Sequence, residues 1–317
     1  MIDRALFSAA YRLLTTGGGR TLSILTYHRV LPEPDPMRRA EPDAKLFREQ
    51  MARLKRYFRP IGLEEAVGRL QVGAALPPRA VAVTFDDGYA DNLTVAAPIL
   101  REFSIPATVF VTEGYLDGGR MWNDTVVETC RRRTPGKWDL RDLGLPVYEL
   151  TSMDDRRRTA GEILRAIKHR SFDDRAAAVA ALAEGGPGLP EDLMLTQEQL
   201  RELSALGVDI GAHTLTHPIL ATLDSAHALR EIAASKARLE ERLQKEVPLF
   251  AYPNGKENSD WNESHVAMVR EAGFKAAVTT ESGVCAPGVD SFRLPRFTPW
   301  DRSTGKYLVR MLMNARA

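Results

Sequence analysis

Two cysteines in 317 residues, Cys130 and Cys285, cannot build a disulfide framework and lack the spacing of a metal knuckle. They read as buried or idle thiols. No stretch approaches the roughly 18 uninterrupted apolar residues of a membrane-spanning helix, and the N-terminus has neither the long apolar core nor the small-residue cleavage site of a signal peptide. The expectation is a cytoplasmic protein. A surplus of one charge is also missing: 43 basic against 42 acidic residues leave +1, with no electrostatic footprint for nucleic acid. Internal repeats and low-complexity linkers are absent, which excludes a repeat array.

What remains is the composition of a globular protein, 44% hydrophobic and 27% charged, long enough for one large α/β domain or two small ones. Its organising stretch is residues 81–92, VAVTFDDGYADN. Val81, Val83 and Phe85 alternate with smaller residues, the pattern of a short buried strand. That strand ends in Asp86 and Asp87, and Gly88 lets the chain turn at once. Carboxylates at the C-terminal end of a parallel strand stand where α/β folds place their active sites. A second stretch, GAHTLTHP at 211–218, comes after the apolar run 208–210 and sets His213 and His217 four positions apart. Two imidazoles at that spacing lie on one side of a helical turn and can share a metal. The residue before a proline is pushed away from helical angles, so His217 is expected in a loop or cap, with Pro218 opening the next helix.

TFDDGY at 84–89, HTLTHP at 213–218 and FAYPNG at 250–255, in that order, resemble the signature motifs of the polysaccharide deacetylases, carbohydrate esterase family four. The resemblance covers about residues 23–300. It implies an α/β fold, a distorted (β/α) barrel, with a divalent metal, usually zinc, and hydrolysis of N-acetyl or O-acetyl groups on sugars. Residue by residue, it implies Asp87, His213 and His217 as metal ligands and Asp86 as general base. Tyr252 and Asn254, in the third motif, become candidates to line the substrate.

This chain departs from the family pattern twice. Where many members carry Arg-x-Pro-x-Gly it has YPNG, so the arginine that steadies the base aspartate is absent there. Arg296, in the tail FRLPRFTPWD (292–301), is the candidate to reach that aspartate from another strand, ahead of Arg293. The late Leu-x-x-His that supplies the general acid is missing too, and His28, at the end of the expected strand 23–28, is its candidate substitute.

Two imidazoles and one carboxylate leave metal positions open for water and a substrate oxygen. The same set serves non-haem iron oxygenases, so ligand identity leaves the reaction open. Asp86 favours hydrolysis, because an attacking water needs a base within hydrogen-bonding reach, and the Tyr89 backbone N–H is a candidate to steady the oxyanion. The expected activity is removal of N-acetyl groups from N-acetylhexosamine units of a glycan or glycolipid precursor in polysaccharide biosynthesis. An O-acetyl esterase, a hydrolase of small amides and a metal-binding module with weak or no catalysis stand as alternatives.

Around these motifs the text is α/β. An Asp43-capped helix carries the apolar stripe Phe47, Met51, Leu54 and Phe58, and residues 105–111 form another strand. The Gly-rich stretch 113–124 reads as a rim loop in which Trp122 is a candidate sugar platform. Residues 125–195 read as a helical insertion, with Arg131–Arg133 and Arg156–Arg158 as solvated faces, within a barrel domain spanning 23–310. An N-terminal helix is expected in residues 1–22. Its Leu6, Ala10, Leu13 and Leu14, interspersed with Arg4 and Arg12, suit it either to packing on the domain or to peripheral contact with an anionic membrane.

Overall fold

The computed structural model describes residues 3–15, 20–184, 186 and 188–316. Residues 1–2 and 16–19 of the expected N-terminal helical segment, and residues 185 and 187 of the expected insertion, lie outside these. In chain order the strands are β1 (Leu22–Tyr27), β2 (Arg59–Pro60), β3 (Ala80–Phe85), β4 (Ala107–Val111), β5 (Gly136–Asp139), β6 (Val147–Leu150), β7 (Asp209–Ala212), β8 (Leu249–Ala251) and β9 (Ala276–Val278). The helices are α1 (Arg4–Leu14), α2 (Ala44–Tyr57), α3 (Leu63–Gln71), α4 (Ala97–Glu102), α5 (Trp122–Arg132), α6 (Met153–Ile167), α7 (Phe172–Ala183), α8 (Gln197–Ala205), α9 (Ser225–Leu243), α10 (Glu263–Glu271) and α11 (Thr304–Asn314).

One sheet runs β1-β3-β4-β7-β8-β9, with β2 beside β3, and its pairings are parallel. Parallel neighbours need helical crossovers, which is why the helices lie outside the sheet. The sheet curls into a half-barrel. Residues 294–297 bridge the gap between β9 and β1: Leu294 N–H donates to Ala277 C=O at 3.0 Å, and Thr26 N–H to Phe297 C=O at 3.0 Å. The tail therefore belongs to the barrel wall and carries Arg296 with it.

The pleat decides what points where. Side chains alternate faces along a strand. On β3, Ala80 and Ala82 pack inside the curl with Leu22, Ile24, Phe110 and Leu249, whereas Val81, Val83 and Phe85 face the helices. Small inner residues leave room for Phe110, and Gly211 is obligatory beside it, since a Cβ there would stand 2.4 Å from the ring. Continued one step past each strand, the inner parity falls on His28, Asp86 and His213. The same parity puts Tyr252 outside, with Phe250.

The insertion is only partly helical. β5 and β6 form an antiparallel hairpin whose Trp138, Tyr148 and Leu150 pack with Ile163, Ile167 and Leu182 of α6 and α7. Each strand is only four residues long, too short an alternation to stand out. Arg156 is not a solvated face: it is buried and donates to the carbonyls of Cys130, Arg131 and Arg133, capping the end of α5. Arg131 pairs with Asp35 and Glu128, fastening the 32–42 loop to α5.

At the N-terminus Asp3 caps α1, and Phe7 and Tyr11 are buried against Tyr57 and Phe58 of the α2 end. Leu6, Leu13 and Leu14 remain exposed. Among the described residues no helix is long and apolar enough to cross a membrane. Both cysteines are buried and free.

Candidate active site

The site forms where the inner parity runs out. Asp86 N–H still bonds to Tyr27 C=O at 2.9 Å, so its side chain keeps the inward direction of the strand. Asp87 and Gly88 then take φ of 76° and 86° and reverse the chain. Left-handed angles strain an aspartate, and a Cβ on residue 88 would meet Val111 Cγ1 at 3.1 Å, so glycine is the residue that fits the turn. The turn is held from both sides: Thr112 N–H donates to Asp87 C=O, and Leu195 N–H, at the end of the insertion, to Gly88 C=O.

His213 N–H bonds to Val111 C=O at 3.0 Å, again extending a strand. The four residues to His217 are a loop rather than a helical turn: Thr214 and His217 have φ of 63° and 55°. Thr214 Oγ1 accepts from His217 N–H at 3.1 Å. Glu231 of α9 accepts from the N–H groups of Leu215 and Thr216, both at 2.9 Å, and from Thr216 Oγ1 at 2.8 Å. His217 thus sits in a loop, as Pro218 requires, but beyond the proline the chain forms only a single 3-10 turn at Leu220–Thr222 in place of the expected helix.

Asp87 Oδ1 lies 3.6 Å from Nε2 of both His213 and His217. Donor atoms of the three residues all fall within 4.8 Å of one another. The fit to a cation is testable on this geometry. His213 Nδ1 stands 2.8 Å from Ala251 C=O, which accepts its proton and leaves Nε2 as a bare lone pair facing Asp87. Asp87 Oδ1 is buried without a hydrogen-bond partner. Three donor groups converge at 3.6 Å spacings about Asp87, and ligands about 2.0–2.1 Å from a tetrahedral zinc stand about 3.4 Å apart. The residues fit a divalent cation.

Electrostatics agree. Burial pushes His213 down to about 4 and His217 well below its ordinary value, so both imidazoles are neutral at pH 7, as candidate ligands must be. Burial, aided by the Asp86 charge and against the pull of His28, raises Asp87 to about 7, which makes its anion dependent on a neighbouring cation. Asp86 is treated oppositely. Burial would raise it, but Arg296 holds it well below the carboxylate range. Arg296, fully buried, meets Asp86 with two 2.8 Å bonds and also donates to Thr84 Oγ1 at 3.1 Å and Thr279 C=O at 3.0 Å. Arg293 instead pairs with Asp290 and Glu263 on the surface.

His28 is open to solvent at the mouth, its backbone carbonyl accepting from Asn92 Nδ2 at 2.9 Å. Burial by surrounding protein lowers its pKa, yet Asp87, Asp86 and Glu41 together raise it above the ordinary histidine value. Tyr89 has its hydroxyl on Asp124 at 2.9 Å and its ring under Arg29. Gly88 C=O and Ala90 N–H bond to residues 193–195, and the Tyr89 N–H points to the other edge without an acceptor among the described residues.

One sequence candidate stands apart from this cluster, and two others are held differently from the sequence expectation. Tyr252 is fully buried on the helix side, stacked on Trp261 at 4.3 Å, and lines no opening. Trp122 begins α5 rather than sitting in a rim loop, and Arg175 covers its ring at 5.0 Å. Asn254 occupies a left-handed turn where its carbonyl accepts from Thr280 Oγ1. Conversely, sequence reasoning missed Glu231, Asn92 and Asp91. Asp91 binds Arg29 at 2.7 Å and Val30 N–H at 3.1 Å, tying the carboxylate turn to the His28 segment. Asp91 and Asn92 closed the organising motif in plain sight, whereas no local pattern marks Glu231.

Residues 73–277 match the family described as polysaccharide deacetylase. The chain belongs to that family. YxkH of Bacillus subtilis (strain 168), itself only assigned to the polysaccharide deacetylases, is 22% identical over 218 residues, 69% of this chain and 50% of its own length. This deacetylase-family chain thus spans about half of that curated relative. Among solved structures, the Streptococcus pyogenes deacetylase PplD in complex with acetate is similar at TM-score 0.61 and 19% identity, covering 92% of this chain and 98% of its own. IcaB from Ammonifex degensii is similar at TM-score 0.60 and 23% identity, covering 94% and 98%. At such identities the likeness concerns the fold, which is the curled (β/α) barrel of this family.

Proposed function

We propose that this polysaccharide deacetylase is a metal-dependent hydrolase that removes N-acetyl groups from N-acetylhexosamine units of a glycan or glycolipid precursor in polysaccharide assembly. The observation that carries the reading is the convergence of Asp87, His213 and His217 around unsatisfied lone pairs, next to the arginine-held carboxylate of Asp86. A divalent cation bound by those three residues, zinc in our reading and another divalent metal as its substitute, supplies a Lewis acid for the acyl carbonyl and an acidified water. Asp86, kept anionic by Arg296, accepts the proton of the attacking water. The pairing lowers its basicity but guarantees its charge. The free Tyr89 N–H donates toward the developing oxyanion. His28, raised above the ordinary histidine value by the carboxylates around it, delivers a proton to the leaving nitrogen.

The Streptococcus pyogenes deacetylase was solved in complex with acetate, which supports acetate as the released product here. The test is acetate release by the metal-loaded protein from N-acetylglucosamine oligomers and from an acetoxy sugar of equal length. Faster release from the acetamido sugar supports the reading; release only from the acetoxy sugar replaces it with an O-acetyl esterase.

A further inference from the structure

Two cavities meet at Trp300. The first, about 280 Å³, has His28 in its wall together with Arg39, Glu41 and Arg302, so it opens directly beside the proposed proton donor. The second, about 610 Å³, runs along α11 and is lined by Phe297, Val309 and Met313 with Lys306 and Arg310 at its rim. Trp300 lines both. Arg310 covers one face of its indole at 4.5 Å, yet the residue is 59% exposed, as are Val309 at 54% and Met313 at 65%. Scattered apolar residues need no explanation, but these form one groove of the size that holds a ligand.

The charges in the two cavity walls, Arg302 in the first and Lys306 in the second, narrow the occupant. Among the described residues neither Arg302 nor Lys306 has a carboxylate partner; the Arg302 guanidinium reaches only the Arg39 carbonyl, at 3.5 Å. Unpaired cations, one in the cavity beside His28 and one in the apolar groove on the far side of Trp300, match a phosphate that would link the two. We propose that the substrate is a lipid-linked amino sugar: the acetamido sugar beside His28, its phosphate against Arg302 and Lys306, and an alkyl or isoprenoid chain in the groove of α11. This rests on the N-deacetylase reading and adds the aglycone to it.

The experiment compares three probes on the metal-loaded full chain: an N-acetylglucosamine oligomer, N-acetylglucosaminyl phosphate, and N-acetylglucosaminyl decyl phosphate. The decyl phosphate is expected to show kcat/KM at least tenfold above the unlipidated phosphate. The double substitution Val309→Asp/Met313→Asp is expected to erase that ratio, and Arg302→Ala to reduce it severalfold, while Val147→Asp on the distant hairpin leaves it. Equal kcat/KM with and without the chain, or a ratio that survives Val309→Asp/Met313→Asp, overturns the inference and leaves the deacetylase reading intact. Should no probe release acetate, that reading fails by itself, and binding decides the lipid site. The decyl phosphate is expected to bind at least tenfold tighter than the free phosphate and to lose that margin in the double variant; equal affinities overturn it. A dimer of the wild type that the double variant dissolves also overturns it, because the groove is then a subunit contact.

Discussion

Arg296 grips Asp86 through two parallel 2.8 Å bonds across 210 positions of sequence, both groups buried. The guanidinium arrives on the bridging tail between β9 and β1, and its Nε is fixed on Thr279 C=O. A planar fork matched to a carboxylate holds the acid in one orientation and one protonation state.

Removing the guanidinium strands a buried carboxylate. Arg296→Met should cost about 3–5 kcal/mol at pH 8. The sign with pH comes from linkage: in the wild type Asp86 is depressed, so its contribution is present above the ordinary carboxylate range and lost as pH falls. In the variant, burial without the arginine raises Asp86, and stability is regained as it protonates. Melting curves in chelator should therefore show the largest deficit at pH 8 and a smaller one at pH 5. A deficit independent of pH contradicts the assignment.

His28 stands at the solvent-open mouth with a raised pKa, suited to a leaving group that needs a proton. His28→Gln should slow amide hydrolysis by roughly 10²–10⁴-fold, the usual contribution of a general acid. Hydrolysis of 4-nitrophenyl acetate, whose phenolate leaves unprotonated, should change by less than about tenfold on the same grounds. Equal losses on amide and aryl ester would reassign His28 to structure.

Glu231 stands behind the proposed metal ligands rather than among them, yet it pins the loop that presents His217. Supporting groups of this kind usually govern metal affinity by about 10–100-fold. Chelator competition on Glu231→Ala should show a loss in that range, with His217 freed from its left-handed setting. Unchanged affinity would mean that Thr214 alone holds the loop.

Much of this arrangement was written in local pattern. The alternation of 81–85 and the Asp-Asp-Gly exit give both a strand and the direction of Asp86, and the proline after His217 correctly denied it a helix. The tail arginine could be named because the YPNG motif lacks one. What stayed hidden depends on long-range packing. Tyr252 looked like a motif residue but shares the outward parity of Phe250, a fact visible only once β8 has its neighbours. Trp122 carries an aromatic ring whatever its burial, and only the insertion brings Arg175 over it. Glu231 and Arg156 satisfy backbone groups of segments remote in sequence, and backbone demand of that kind leaves no periodicity to read.

The central claim is that three residues hold a cation while a fourth, beside it, does the proton work. Metal content and acetate release measured together on Asp86→Asn and His213→Ala test it most directly. Asp86→Asn should retain the wild-type metal stoichiometry and release acetate at least about 100-fold more slowly, while His213→Ala loses both metal and turnover. A full complement of metal in His213→Ala, or wild-type turnover in Asp86→Asn, would contradict it.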